Sequence, residues 1–250
     1  MSAGDPIEHV RERLGAARSA CAVTGSGISA ESGLPTFRGA GGLWKTHRVE
    51  ELASPEGFDR DPQLVWRWYN ERRTAHAHAE PNAGHRALAR LEALIPDFTL
   101  VTQNVDSLHF RAGSRAVAEL HGSLREAFCE RCGFRVTLED GRALEPIEHA
   151  CGGRFRPAVV WFGEALPPEP WECAVAAVAR AEVLLVVGTS GLVQPAASLP
   201  TRFAARDALI VEINPEATPL SDCATIVLRG TAAAILPRLL PPAEQNAARG

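Results

Sequence analysis

The most constraining stretch of this sequence is an apolar run that ends in a glycine-rich turn. Residues 20–23 are uniformly apolar, which is typical of a buried strand. Gly25, Gly27 and Ala30 follow with the spacing G-x-G-x-x-A. This spacing occurs in dinucleotide-binding turns, where glycines let backbone N–H groups approach a pyrophosphate at a helix N-terminus. The stretch therefore predicts a strand followed by a phosphate-binding turn, although glycine-rich turns are also common in ordinary loops.

The residues after the turn differ from an ordinary dinucleotide-binding helix. Gly33 and Pro35 end any helix within a few residues, so the chain turns out again at once. Phe37 and Arg38 follow, with the glycine-rich residues 39–42 behind them. The sequence predicts a modified nucleotide-binding fold in which this loop covers the reactive end of the ligand.

Length and composition exclude several classes of protein. A chain of 250 residues can form one sizeable core, or one core that carries a smaller insert. A net charge of −4, without runs of Lys or Arg, argues against a nucleic-acid or membrane surface. The six cysteines are unevenly spaced, unlike a disulfide framework, and there is no signal-peptide core. We expect a cytoplasmic protein that binds neither nucleic acid nor membrane.

Apolar runs recur along the chain and alternate with segments of helical periodicity. Helical patterns cover residues 7–17, 54–78 and a stretch that begins at Pro81. Nearly continuous apolar runs indicate strands that are buried on both faces, as in a parallel α/β sheet. The predicted strands are residues 98–103, 117–120, 159–162, 183–187, 208–213 and 225–228.

Polar residues follow four of these runs, at 102–109, 121–123, 188–190 and 214–216. Such residues also favour ordinary turns. Four successive strand ends nevertheless favour a ligand with ribose and pyrophosphate groups, because ligands bind at the carboxyl ends of parallel strands. His121 is the candidate general base, since an imidazole titrates near neutrality. The other histidines that we considered are expected to be structural first: His76, His78, His85, His109 and His149.

A cysteine-containing segment follows His121. Cys129 and Cys132 form a C-x₂-C pair, and Cys151 lies at the distance of a second pair, which is a zinc signature. The second pair is incomplete, because Glu148 stands three positions before Cys151. The fourth ligand could be Glu148 or His149, and packing alone could also hold the segment together. We expect a structural zinc with three cysteine ligands.

Three motifs carry a resemblance to a known family. Residues 25–39 read GSGISAESGLPTFRG, residues 103–106 read QNVD, and His121 is followed by Gly122. Together they resemble the signature of the sirtuins, NAD-dependent protein lysine deacylases, from about residue 20 to about residue 239. Ser26 departs from the Ala that is usual in the family.

The resemblance implies an α/β fold: a Rossmann-like, doubly wound parallel sheet with a smaller domain made of a helical insert and a zinc-ribbon-like insert. The NAD-binding domain would comprise residues 1–38, 81–121 and 157–250. The helical insert would be residues 39–80, and the zinc module residues 122–156.

The resemblance also implies the role of each site residue. His121 would activate a ribose hydroxyl after the acyl oxygen has displaced nicotinamide. Asn104, also catalytic, and Gln103 would hold the nicotinamide ribose, and Asp106 the carboxamide. Phe37 would screen the reactive carbon, and Arg38 would steady the intermediate. The remaining cofactor residues would be Gly25, Ser26, Gly27, Ile28, Ala30, Glu31, Thr36, Trp44, Gly188, Thr189, Ser190, Asn214, Glu216 and Ala232.

The acyl group is predicted from a Tyr-x-x-Arg pair. Tyr69 and Arg72 project from one face of a predicted helix, and a phenol with a guanidinium can receive a carboxylate. The alternative is a solvated Arg beside a core aromatic residue. In sirtuins this pair resembles the subgroup that removes succinyl and malonyl groups, and members of this bacterial kind often deacetylate as well. The peptide would lie against Val160, Trp161, Phe162 and Gly163.

The expected reaction removes succinyl, malonyl or acetyl groups from protein lysines. Its products would be nicotinamide, the free lysine and 2′-O-acyl-ADP-ribose. Two alternatives are a mono-ADP-ribosyltransferase and a non-catalytic NAD sensor, of which the second is opposed by the presence of His121, Asn104 and Asp106. The expected partners are acylated lysine side chains of proteins, and the chain is expected to be monomeric.

Overall fold

The structure is a computed structural model in which residues 5–36, 52–138 and 148–241 are described. The predicted cofactor residues Phe37, Arg38 and Trp44 lie outside these ranges. None of the helices within them is both long and apolar enough to cross a lipid bilayer.

Within the described residues, six parallel strands form the main sheet, as the apolar runs predict. Their order across the sheet is β3-β2-β1-β7-β8-β9. The chain thus builds outward from β1 in one direction and then, from β7, in the other. The point where the order reverses lies between β1 and β7, and in such sheets this is where ligands bind. The strands are β1 (Ser19–Thr24), β2 (Asp97–Thr102), β3 (Val117–Glu119), β7 (Val183–Val187), β8 (Leu209–Asn214) and β9 (Ile226–Arg229).

Helices cover both faces of this sheet, which explains why its strands are apolar throughout. Ala20 and Ala22 of β1 pack in one cluster with helices α1 (Pro6–Ala16), α4 (Ala83–Leu94) and α8 (Ala232–Ile235). The alternate residues Cys21 and Val23 pack on the other face against α6 (Pro168–Arg180). The doubly wound α/β architecture is therefore confirmed.

A smaller sheet contains β4 (Gly122–Cys129), β5 (Arg135–Thr137) and β6 (Phe155–Val159), in the antiparallel order β5-β4-β6. It shares a core with helices α2 (Pro55–Arg60) and α3 (Pro62–His78). Phe58, Trp66, Tyr69, Leu124 and Trp161 are buried in this core.

The predicted strand at 159–162 is wrong in position and partner. The strand ends at Val159 and pairs antiparallel with β4 instead of joining the parallel sheet. The run is apolar because Trp161 is buried against Phe58, with ring centroids 5.3 Å apart. The strand β6 spans the predicted domain limit at 156/157, and the division of the chain into domain segments stays a prediction.

The glycine turn is fixed to the helix α4 by the side chain of Asn82. Its amide oxygen accepts from the N–H of Gly84 at 2.8 Å and caps the helix. Its amide nitrogen donates to the carbonyl of Ile28 at 2.7 Å and to the hydroxyl of Ser32 at 3.0 Å. The turn itself is a 3₁₀ helix, Ser26–Ser32, which ends at Gly33 with a φ of 83°. The early helix end that Gly33 and Pro35 predict is confirmed.

The short helix α5 (Leu108–Arg111) follows β2, and α7 (Leu199–Arg202) follows the 3₁₀ turn Ala196–Ser198. A last 3₁₀ turn, Leu236–Leu239, packs its Leu236 and Leu239 into the same cluster as helix α1.

Candidate active site

The carboxyl ends of β1, β2, β7 and β8 open into a cavity of about 660 Å³. The far wall of this cavity comes from helix α3 and the segment after β6. The predicted residues that line it are Gly25, Ser26, Gly27, Ala30, Thr36, Tyr69, Arg72, Gln103, Asn104, Asp106, His121, Val160, Trp161, Phe162, Gly163, Gly188, Thr189, Ser190, Asn214 and Glu216.

Three predicted cofactor residues lie outside the lining of this cavity. Ile28 is fully buried in the core beneath the turn. Glu31 accepts a hydrogen bond from the N–H of Ala233 at 3.2 Å, at the start of helix α8. Ala232 is buried at the same helix end, against Gly84. These residues join the turn to the helices behind it.

Glycines are required where the turn after β1 and the loop after β7 come into close contact. A Cβ on Gly27 would lie 2.7 Å from the Cα of Gly188, and a Cβ on Gly188 would lie 2.5 Å from the nitrogen of Ile28. The N–H of Gly25 donates to the carbonyl of Val187 at 3.0 Å, and that of Gly27 to Gly188 at 2.8 Å. Both amides are therefore bonded to β7 or to the residue that follows it, and the expected approach of N–H groups to a pyrophosphate stays a prediction for the other residues of the turn.

His121 follows β3, and its imidazole lines the cavity. Nδ1 lies 3.0 Å from the carbonyl oxygen of Gln103. Since a carbonyl can only accept, Nδ1 carries the hydrogen and Nε2 keeps the lone pair of a neutral ring. Burial lowers the pKa of His121, and the bond to Gln103 partly opposes this shift. The neutral imidazole can thus accept a proton near pH 7.

Ser29 joins the two polar residues that follow β2. Its hydroxyl donates to Oδ2 of Asp106 at 2.7 Å and accepts from Nδ2 of Asn104 at 3.2 Å. All three side chains are buried. Burial raises the pKa of Asp106, while the bonds from Ser29 and from the N–H of Leu108 lower it. The sequence did not single out Ser29, although it lies inside the turn motif, because nothing local shows that it faces β2.

Two histidines are buried behind this group. Nε2 of His109 lies 3.0 Å from the hydroxyl of Thr24, which donates to Thr102 at 2.8 Å. The ring of His85 lies 4.9 Å from that of His109, and its Nε2 lies 3.4 Å from the hydroxyl of Ser29. Burial lowers the pKa of His85 to about 4 and that of His109 to about 3. Both stay neutral and sit outside the cavity lining, as structural histidines would.

Tyr69 and Arg72 reach the cavity from helix α3. The phenol oxygen of Tyr69 accepts a hydrogen bond from Nε1 of Trp161 at 2.9 Å. The guanidinium of Arg72 stacks over Trp68, 4.5 Å from the ring centroid, and lies 5.7 Å from that of Tyr69. Burial lowers the pKa of Arg72, and its electrostatic interactions with Tyr69 and Asp106 oppose this shift. His76, which we expected to be structural, lines the same cavity.

An ion pair holds the segment after β6 in place. Arg156 donates to both carboxylate oxygens of Glu164, at 2.6 and 2.9 Å. The guanidinium lies 3.3 Å from the ring centroid of Trp161, and the backbone N–H of Trp161 donates to Glu164 at 2.7 Å. Phe162 and Leu192 line the cavity with side chains that are 43% and 51% exposed.

The loops after β7 and β8 are tied to each other and to β2. Gln103 donates to the hydroxyl of Thr189 at 3.2 Å, and Asn214 to the carbonyl of Thr189 at 3.3 Å. Glu212, fully buried in β8, accepts from Ser221 at 2.6 Å and from Arg229 at 3.1 Å. Sequence reasoning missed Glu212, although a carboxylate inside an apolar strand requires partners when buried. It fixes the loop that carries Glu216.

Three sulfurs and an imidazole form a cluster at the end of the small sheet. The ligand atoms of Cys129, Cys132, His149 and Cys151 all lie within 4.8 Å of one another. Sγ of Cys129 is 3.5 Å from Sγ of Cys151, and Nδ1 of His149 is 3.2 Å from the latter. All six cysteines are free thiols. Glu148 is exposed and forms a backbone bridge with Arg154 outside the cluster.

Comparisons with known proteins agree with this geometry. The Sir2 family profile matches residues 25–195. The chain is 49% identical over 233 residues to NAD-dependent protein deacylase 2 of Pyrobaculum aerophilum, covering 93% of this chain and 94% of that protein. It is 49% identical to the NAD-dependent protein deacylase of Thermus thermophilus, with 98% of both chains covered.

A solved Sir2 homologue in complex with NAD superposes with a TM-score of 0.87 and 46% identity. That comparison covers 93% of this chain and 91% of the other. The family match over residues 25–195 includes the glycine turn and the cysteine-containing sheet. The chain belongs to the Sir2 family, the sirtuins.

Proposed function

We propose that this chain is an NAD-dependent protein-lysine deacylase that removes succinyl and malonyl groups and also acetyl groups. NAD-dependent protein deacylation is the activity for which its relatives in the Sir2 family are named. The observation that carries the acyl preference is the presence of His121, Asn104 and Arg72 in the lining of one cavity. A base, a buried amide and a guanidinium therefore face a common space.

The donor set fits NAD. Asn104 and Asp106 are buried and polar, and they line the cavity beside His121. We assign them, with Gln103, to the nicotinamide ribose and the carboxamide. Thr189, Ser190, Asn214 and Glu216 would hold the adenosine end, and Ser26, Ala30 and Thr36 would lie along the phosphates. When bound, NAD supplies a ribose carbon that becomes electrophilic as nicotinamide leaves, and the hydroxyl that receives the acyl group.

His121 would act as the general base at its Nε2 atom. The bond from Nδ1 to Gln103 fixes the ring orientation and the tautomer. Nε2 then accepts the proton of a ribose hydroxyl and returns it later in the reaction. Ser29, Asn104 and Asp106 form a preorganised polar group, and such dipoles stabilise developing charge best where water is excluded.

Arg72 would select acidic acyl groups. Its guanidinium is half-buried in the cavity lining, and a buried cation favours an anionic partner. A carboxylate at the end of a succinyl or malonyl chain supplies that partner through charge-assisted hydrogen bonds. Tyr69 is protonated, since burial raises the pKa of its phenol, and it can donate to the same carboxylate.

The acylated peptide would lie across the rim of the cavity. Val160 and Phe162 are held there by backbone bonds from their N–H groups to His121 and Ala53, at 2.9 and 3.0 Å. The exposed side chains of Phe162 and Leu192 offer apolar contacts to a peptide. If the extended peptide binds mainly through its own main chain, the site places few demands on the sequence of the target protein.

The cysteine cluster would hold a structural zinc. In a tetrahedral site with Zn–S bonds of about 2.3 Å, neighbouring sulfurs lie about 3.8 Å apart, close to the spacing found here. The ligands would be Cys129, Cys132 and Cys151 with Nδ1 of His149. Glu148 is assigned no role. The metal would stabilise the small sheet and take no part in the reaction, because the cluster lies outside the cavity lining.

The test is a panel of acetyl-, malonyl- and succinyl-lysine versions of one peptide, incubated with NAD and read by mass spectrometry. Arg72→Met should lower desuccinylation about 10- to 100-fold relative to deacetylation, because one charge-assisted hydrogen-bonding partner is lost. Arg67→Met is the control, since Arg67 is exposed on the same helix. Equal losses on all three peptides with Arg72→Met would refute the assigned acyl preference.

A further inference from the structure

We propose that His76 is a second binding residue for the carboxylate of an acidic acyl group and that it favours acyl chains longer than succinyl, of the glutaryl class. His76 and Arg72 are four residues apart on helix α3, so they occupy the same helix face. Both side chains line the active-site cavity. The inference rests on the proposed acidic-deacylase function and extends it to a residue outside the Tyr-x-x-Arg pair.

The first observation is a pair of unsatisfied atoms. Within the described parts of the chain, Nε of Arg72 and Nδ1 of His76 are buried without a hydrogen-bond partner. Buried polar atoms in proteins are nearly always paired, and an unpaired one requires an explanation. Two such atoms on adjacent turns, both in side chains that line one cavity, point to a polar ligand between them.

The second observation concerns charge. Burial, and to a smaller extent the positive charge of Arg72, lower the pKa of His76 to about 3. His76 is therefore neutral in the physiological pH range and can approach the guanidinium without repulsion. A neutral imidazole has one N–H donor. When that hydrogen lies on Nδ1, the atom that has no partner in the protein, it can donate to a carboxylate oxygen.

The third observation is the order of side chains along the helix. Tyr69 accepts a hydrogen bond from Trp161, and Val160, the neighbour of Trp161, donates its N–H to the carbonyl of His121, so we take Tyr69 as the end of the series nearest His121. Arg72 follows one turn later, and His76 lies about 6 Å further along the helix axis, at 1.5 Å per residue. A carboxylate on a longer acyl chain can therefore reach both donors, while the short malonyl chain reaches Arg72 alone.

The experiment measures kcat/KM of the full chain with NAD and four versions of one peptide: acetyl-, malonyl-, succinyl- and glutaryl-lysine. His76→Leu should lower the glutaryl-to-acetyl ratio about tenfold, mainly through KM, since one hydrogen bond to a charged group is lost. The loss should decrease from glutaryl to succinyl to malonyl. His76→Gln, which keeps an N–H donor, should restore most of the ratio.

His78→Leu is the matched control, because His78 is exposed two residues further along the same helix. Thermal melting of each variant checks that it folds, and His76→Phe, which also lacks an N–H donor, replaces the leucine variant in the test if that variant does not fold. An unchanged glutaryl-to-acetyl ratio in His76→Leu would overturn the inference, as would an equal loss on all four peptides.

The Arg72→Met variant separates this inference from the proposed function. If Arg72→Met lowers the acidic-to-acetyl ratio and His76→Leu does not, the role of His76 is wrong and the acidic-deacylase function stands. If neither variant changes the ratio, or the wild-type enzyme acts on acetyl-lysine alone, the acidic acyl pocket itself is wrong.

Discussion

The hydroxyl of Ser29 donates a 2.7 Å hydrogen bond to Asp106, and this bond joins the glycine turn to the segment after β2. Asn104 donates to the same hydroxyl at 3.2 Å. One buried serine thus orients both an amide and a carboxylate that face the cavity. We expect the geometry of the site to depend on Ser29, although it is absent from the residues that the sequence singled out.

Replacing Ser29 with Ala tests this dependence. The change leaves a buried carboxylate and a buried amide each short of one partner, which costs about 1–3 kcal/mol and should lower kcat/KM for NAD about 5- to 100-fold. The bond from Ser29 lowers the pKa of Asp106, so its loss should move the acid limb of the pH–rate profile to higher pH. Ser114→Ala is the control, because Ser114 is a buried serine outside the cavity lining whose hydroxyl has no hydrogen-bond partner within the described residues. An unmoved acid limb would contradict the assigned role.

A second prediction concerns His121. His121→Phe should lower kcat about 10²- to 10⁴-fold, the usual contribution of a general base. Because Asn104 and Asp106 are oriented by Ser29 and not by the imidazole, NAD binding should change little. Rapid-quench rates and isothermal titration with NAD measure the two effects separately. A matched fall in NAD affinity and rate would indicate a binding role for His121 instead of a catalytic one.

The third prediction assigns the fourth metal ligand. His149→Ala should reduce the zinc content and lower the thermal unfolding temperature, because Nδ1 of His149 lies among the three sulfurs. Glu148→Gln should leave both unchanged, since Glu148 is exposed. Atomic emission spectrometry of the purified proteins gives the zinc content, and chelator treatment of the wild type should reproduce the instability. The opposite pattern in the two variants would identify Glu148 as the ligand.

The fourth prediction follows from the buried histidines. His109 titrates with a pKa of about 3 in the folded protein, against an ordinary value of 6.5. Below pH 6.5 the unfolded chain binds the extra proton, so the free energy of unfolding falls by about 1.4 kcal/mol per pH unit for each such group. The loss continues until the pH reaches the folded pKa, and above pH 6.5 this group has no effect.

His109→Gln removes that group. Between pH 6.5 and 5 the free energy of unfolding of the variant should fall less steeply than that of the wild type, by about 1.4 kcal/mol per pH unit. We expect the variant to be less stable than the wild type at pH 7.5. Urea unfolding at several pH values gives the slopes for both proteins. Parallel slopes would show that His109 does not titrate as its burial implies.

The parallel sheet was predictable because its strands are buried on both faces. Residues 183–187 form one unbroken apolar run, and the strand Val183–Val187 occupies it completely. The run at 159–162 is equally apolar, yet it follows the strand Phe155–Val159. Its apolar character comes from Trp161, which fills the core of the smaller sheet. An apolar run therefore indicates that a segment is buried, but it does not show whether that segment is a strand or a loop.

The site was predictable where its residues follow strand ends, as His121 and Asn104 do. Ser29 and Glu212 were missed because their partners lie far away in sequence, and the position of His76 in the cavity lining was missed because the cavity forms only in the folded chain. Ser29 meets Asp106 across 77 positions of the chain. The amides of Gly25 and Gly27 are bonded to the carbonyls of Val187 and Gly188, a pairing that no local motif shows. Contacts between distant segments decide these details.

The central claim is that this chain consumes NAD when it transfers an acyl group from lysine. The direct measurement is the stoichiometry of products from NAD labelled in its ADP-ribose part and an acylated peptide, resolved by mass spectrometry. We predict equal amounts of nicotinamide, deacylated peptide and labelled O-acyl-ADP-ribose, all abolished together in His121→Phe. Label attached to protein would indicate an ADP-ribosyltransferase, and the absence of nicotinamide release would indicate an NAD sensor. Either result would contradict the account.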